Sequence, residues 1–235
     1  SVIKTFSTAS DKDKLEIKVG GNQFVWNTRY KGAERLDGMI LWGASLSGAK
    51  AVPGDYTVSL QKNKTVTEQV FTILPDPRAE ASVADMQKQF DFVNTVNQTI
   101  DEAHQAIKNI RSINAKLDAF KKNYGGLEEA KAILETAAAL KKEFSEIEKT
   151  LYQTQNKSNQ DPLNFPIRLT NKLGHINNLV MSNDFPPTDQ DVVVSRLLTS
   201  QIKEQVERYK KLVKEDLESF NQTFAALKLD YLTLK

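Results

Sequence analysis

The sequence predicts an α+β chain of two domains. A small immunoglobulin- or fibronectin-III-like β-sandwich fills residues 1–76, and an up-down bundle of long helices fills 77–235. Three observations carry this reading. Short runs of β-branched and aromatic residues, separated by Gly, Asn, Asp and Pro, occupy the first third of the chain. The connector Leu74-Pro75-Asp76-Pro77-Arg78 cannot continue a sheet ladder, because two prolines remove two donors. From Ser82 onward, apolar residues recur at helical spacing almost to the end.

The predicted strands are VIKTF (2–6), KLEIKV (14–19), QFVWNTR (23–29), MILW (39–42), DYTVSL (55–60) and TEQVFTI (67–73). In DYTVSL, Tyr56, Val58 and Leu60 share one face and Thr57 and Ser59 the other, the pattern of a half-buried strand. Pro53-Gly54 supplies the entry turn, and Asn63-Lys64 the connection to the next strand. The segment 29–46 has few regular alternations before MILW, so part of it is expected to be a loop.

Ser82 suits an N-cap, with Asp85 completing a weak capping box. The first stripe runs through Met86, Phe90, Val93, Asn97, Ile100, His104 and Ile107 to Phe120, and Gly125-Gly126 ends it. Ala130, Ile133, Ala137, Leu140, Phe144, Ile147 and Leu151 mark a second helix without a slip. After the polar loop NKSNQDP, Pro166 suits the first turn of a short third helix carrying Leu169, Leu173, Ile176 and Val180. SNDFPPTD breaks the chain, and Thr188 or Asp189 caps a fourth helix reaching Phe224 and Leu227. Short connections predict that successive helices run antiparallel, with the third as the one short member.

Composition excludes several classes. Residues 1–76 carry 10 basic and 8 acidic side chains, and the remainder 22 of each. Neither part has the basic excess that nucleic-acid binding requires. No apolar run approaches the ~20 residues that span a bilayer, so no membrane insertion is expected. Without Cys there are no disulfides, thiolate metal sites or Cys nucleophile. The start, SVIKTFSTAS, lacks a charged-then-apolar signal pattern, and reads as a mature product or an excised fragment.

Catalytic groups are sparse. His104 and His175 each fall mid-helix, and Asp101 with His104 forms at most a two-ligand half-site with no HExxH pattern beside it. No P-loop, GxGxxG or GxSxG is present. Carboxylates lie scattered beside Lys, as in Lys141-Lys142-Glu143, which reads as a solvated face. No catalytic, metal or cofactor residue is therefore assigned. Trp26 and Trp42 suit either core anchors or a platform for sugar stacking.

The run FVWNTRYKGAERLDGMILWGASLSGAKAVPGDYTVSL, from Phe24 to Leu60, closely resembles the segment that follows the β-propeller in bacterial sortilin-like proteins. These are commonly labelled BNR or Asp-box repeat glycosyl hydrolases. The shared elements are Phe-x-Trp, Arg-Tyr-x-Gly-Ala, Gly-Met-Ile-Leu-Trp and Ala-Val-Pro-Gly-x-Tyr. The Asp76-Pro77-Arg78 connector into a helical tail is similar too, as are Ser182-Asn183-Asp184 and Pro187-Thr188. The resemblance implies a non-catalytic C-terminal accessory module of an exported protein, whose activity would belong to the propeller. No Asp-box Ser-x-Asp-x-Gly-x-Thr-Trp occurs here. The expected partner is that propeller or another protein, docked at Arg29, Tyr30, Met39 and Trp42. A carbohydrate-binding accessory using Trp26 or Trp42 is the alternative. A hydrolase would require two facing carboxylates roughly 5–9.5 Å apart.

Overall fold

The computed structural model describes residues 2–9 and 14–227. Residue 1, residues 10–13 and residues 228–235, which the predicted domains include, lie outside the described residues. Ser82 starts the helical part as expected. Its hydroxyl accepts from the Asp85 amide at 3.2 Å, and the Asp85 carboxylate turns back to the Ser82 amide at 3.4 Å. Helix α1 then runs from Val83 to Tyr124. Helix α2 covers Lys131–Leu151 and α3 covers Leu169–Val180. Helix α4, Asp189–Leu212, opens on a second capping box between Thr188 and Asp191. A π turn, Val213–Leu217, joins it to α5, Glu218–Ala226.

Contacts between the helices fix their directions. Arg111, Asn114 and Asp118 on α1 meet Glu148, Ser145 and Lys141 on α2, so these two run antiparallel. Gln89 reaches the Val180 carbonyl and Asn97 meets Asn177, so α3 is antiparallel to α1 as well, along its earlier half. Asn109 meets Tyr209, Phe120 meets Phe220 and Tyr124 meets Phe224, so α4 and α5 run parallel to α1. The bundle is three rods. The second is α2 and α3 in series, not in reversal as the sequence suggested.

Length explains this. Helix α1, at about 63 Å, is twice the roughly 32 Å of α2. Half of its apolar stripe would stay in water, and α3, at about 18 Å, covers that half. The Thr170 hydroxyl donates to the Leu151 carbonyl at 3.0 Å, tying the start of α3 to the end of α2. Ile100, Ile107, Phe144, Ile147, Leu173 and Ile202 form the fully buried centre.

The β-sandwich is overturned. Among the described residues there is one two-stranded antiparallel sheet, β1 (Gly54–Lys62) with β2 (Thr65–Ile73), registered from Gly54↔Ile73 to Lys62↔Thr65. The other four predicted runs form no named strand. Among the described residues an isolated bridge, Ser7↔Lys14, links the residue after VIKTF to the start of KLEIKV, and Ile17 and Val19 stay exposed. QFVWNTR is interrupted at Thr28, whose φ of 57° breaks an extended run. MILW buries Met39 against the helices instead of a facing sheet. β-propensity reports a fit to half-buried surface, and here helices supply that surface.

Candidate functional site

Residues 29–51 form a strap laid over α1 and α3. Its two arms pair closely: the Tyr30 amide donates to Ala49 and the Ala33 amide to Leu46, each at 2.9 Å. Glycine is required here. A Cβ on Gly32 would sit 2.0 Å from the Leu46 carbonyl oxygen, and one on Gly48 1.9 Å from that of Tyr30. Beyond the arms the strap has no ladder, so its buried peptide groups need other partners.

Helix side chains provide them. The Asp101 carboxylate accepts from the Glu34 amide at 2.6 Å, and His104 Nδ1 donates to the Glu34 carbonyl at 2.5 Å. One turn earlier on α1, Asn97 donates to the Ser47 carbonyl at 2.9 Å. On α3, the Asn171 amide holds both sides of one residue, accepting from Trp42 N–H at 2.8 Å and donating to Trp42 C=O at 2.9 Å. His175 Nδ1 donates to Gly43, and Asn177 Nδ2 joins α3 to α1 through Asn97 Oδ1 at 3.0 Å. Donation to a carbonyl fixes the Nδ1–H tautomer of both rings. Burial lowers the pKa of His104 below its ordinary 6.5, against the opposing effect of the Glu34 carbonyl. Asp101 and His104, the pair at metal-ligand spacing, both serve Glu34.

The strap's apolar side chains complete this clamp. Ala33, Leu36, Met39 and Leu46 enter the same core as α1, α2 and α4, so that core draws on both sides of position 76. Of the four residues expected to form an interaction surface, Met39 is buried and contributes none. Arg29 is half-buried and donates to the Gly48 carbonyl at 3.0 Å. Tyr30, also half-buried, packs edge-on against Phe90 at 4.7 Å. Trp42 alone of the four is exposed, at 42 %. Trp26 is half-buried, its indole N–H donating to the Arg29 carbonyl at 3.0 Å.

No family model matches the chain, and no curated protein or solved structure matches it either.

The β1–β2 hairpin contrasts with the strap. Cross-strand pairs Tyr56–Phe71, Val58–Gln69 and Leu60–Thr67 share one face. The opposite face is polar at two pairs, with Ser59 donating to Glu68 and Thr72 to Asp55, both at 2.6 Å. Among the described residues the apolar face is covered near its base, where Trp26 meets the Tyr56 ring. Val58 is 54 % and Leu60 67 % exposed.

A cleft of about 340 Å³ opens between the strap and α1–α2, lined by Asp37, Arg111, Glu148 and Tyr152 among others. Sequence reasoning missed these residues, and it missed Asn171 and Asn177. The one available signal was Asn97 and His104, polar residues on an otherwise apolar stripe. Such positions mark where a helix holds something other than another helix. Among the described residues no group of three His, Asp or Glu is placed to hold a metal ion, and no helix is long and apolar enough to cross a membrane.

Proposed function

We propose that the chain is a non-catalytic accessory module of an exported, sortilin-like BNR-repeat protein. The helical bundle with its strap forms a self-contained base, and the hairpin docks on the propeller of the parent protein. The observation that carries this is the uncovered apolar face of β1–β2. Two strands alone are marginal in water, and a third strand or a packed surface is needed for independent stability. Val58 and Leu60 provide the face that such a surface would cover. Ile17, Val19 and Phe24, exposed in the segment before the strap, extend the same apolar character towards the start of the chain. The sequence resemblance over Phe24–Leu60 supplies the identity of the partner.

Hydrogen exchange tests the reading. Hairpin amides of the chain alone are expected to exchange fast, and to gain protection when the preceding propeller is added in trans. Calorimetry of the same mixture should show a negative heat-capacity change, weakened by Leu60→Glu. Unchanged exchange and no measurable heat would overturn the docking reading.

A further inference from the structure

We infer that the cleft between the strap and α1–α2 binds a neutral, polyhydroxylated small molecule, a saccharide unit with vicinal hydroxyls. This stands apart from the docking reading and uses none of its residues. Its volume, about 340 Å³, falls within the range of roughly 300–1,000 Å³ typical of small-molecule sites. Three elements contribute: Asp37 comes from the strap, Arg111 from α1, and Glu148 and Lys149 from α2. Tyr152 and Asn156 come from the connection after α2.

Two properties select the ligand. The first is unused hydrogen-bonding capacity of both kinds. Arg111 donates to Glu148 through Nε at 2.7 Å and lies over the Tyr152 ring, 5.7 Å from its centroid. Neither terminal nitrogen of Arg111 has a hydrogen-bond partner among the described residues. The buried Tyr152 hydroxyl accepts from the Ile40 amide at 3.0 Å and keeps its own proton to donate. Asn156 Oδ1 is a buried acceptor without a partner, and the Asp37 side chain adds an exposed acceptor. A hydroxyl both donates and accepts, so adjacent hydroxyls can serve a guanidinium and an amide or carboxylate oxygen together.

The second property is charge. Among the lining side chains Asp37 and Glu148 balance Arg111 and Lys149, and Lys149 is itself paired with Glu146 at 2.9 Å, so the lining offers no excess of free cationic charge to hold an anion. An anion at the Arg111 terminus would lie beside the Glu148 carboxylate, and a cation at Glu148 would lie beside the Arg111 guanidinium. A neutral polar ligand meets neither penalty.

Titration of the isotope-labelled chain, followed by amide NMR, tests this. The probes are the methyl glycosides of glucose, mannose and N-acetylglucosamine, with sodium acetate as the anionic control. At least one glycoside should give saturable shifts at Gly38, Thr154 and Asn156, with millimolar affinity. Asp37→Ala removes an exposed side chain and should weaken binding about tenfold with an unchanged melting midpoint. Arg111→Lys keeps a cation beside Glu148 but loses the planar terminus, and should weaken binding at least as much. Saturation by acetate alone, shifts confined to other surfaces, or no saturable shift with any glycoside would each overturn the assignment.

Discussion

The strap and the hairpin are neighbours in sequence and opposites in structure. Both contain runs of β-branched and aromatic residues, MILW in one and DYTVSL in the other. The hairpin makes a complete backbone ladder and leaves Val58 and Leu60 in water. The strap makes almost no ladder, yet Met39 and Leu46 are buried. Regular hydrogen bonding and burial are thus separable in this chain. Helix side chains replace the ladder for the strap, and nothing within the described residues replaces a core for the hairpin's outer half. Stability should follow burial, not the ladder.

The largest effect belongs to the core that strap and helices share. Phe144 is fully buried and its ring lies 6.3 Å from that of Tyr209. Phe144→Ala should cost about 3–5 kcal/mol in urea unfolding. A loss below about 1 kcal/mol would mean that the bundle does not pack as a single core.

Next come the strap's glycines. An added Cβ at Gly48 meets backbone, not a flexible side-chain end, so the two arms must separate. Gly48→Ala should therefore cost about 2–3 kcal/mol. It should also raise hydrogen exchange at Tyr30 and Ala33 before it affects α2. Unchanged exchange in the strap would show that its arms are not what hold it down.

Much of the helical half was legible in the sequence. The Ser82 and Thr188 caps and the α2 stripe from Ile133 to Leu151 stand where periodicity put them, while Ala130 falls in the 3-10 turn just before α2 and Gly125 ends α1 in the right-handed conformation, φ −62°. Direction was less so. Helix α3 runs in series with α2 because of the length mismatch with α1, and local spacing does not report on matching between distant elements. The sandwich failed for a related reason. Alternation at Tyr56, Val58 and Leu60 marks a strand face correctly, but it does not say how many other strands share the sheet. Asn97 and His104 were visible as polar residues on a stripe. Their partners, the Ser47 and Glu34 carbonyls, belong to backbone with no sequence signature. The cleft residues come from three separated segments, and only the folded chain brings them together.

His104 gives a third test, through pH. Its neighbours are Glu34, Asp101, Lys108 and Arg111, and burial is the largest influence on it. The folded pKa lies below the ordinary 6.5, so the unfolded chain binds the proton more readily. Stability from this residue is therefore fully present above 6.5 and is lost as pH falls below that value towards the folded pKa. Asp85 and Asp161, whose carboxyls are held below their ordinary 3.8 by hydrogen bonds, add their own losses only in a more acidic window. His104→Asn keeps a donor for the Glu34 carbonyl and removes the titration. It should cost about 1–2 kcal/mol at neutral pH and flatten the dependence that sets in as pH falls below the ordinary 6.5. An equally steep dependence in the variant would assign the window to another group.

The smallest expected effect is the most diagnostic of the difference between the two regions. Leu60 is an apolar residue in a regular strand, and by propensity alone it belongs to a core. It is 67 % exposed, with Thr67 opposite it across the ladder. Leu60→Thr keeps a good strand former and removes only apolar surface that is already wet, so unfolding of the chain alone should change by less than about 0.5 kcal/mol. Met39→Thr, from the run without a ladder, should cost about 2 kcal/mol or more, because Met39 is 7 % exposed and the hydroxyl would enter an apolar core. Urea midpoints of the two variants settle the ordering. If Leu60→Thr were the costlier change, the hairpin face would have to be covered within the chain itself, and neither its exposure nor its proposed docking on a propeller could stand.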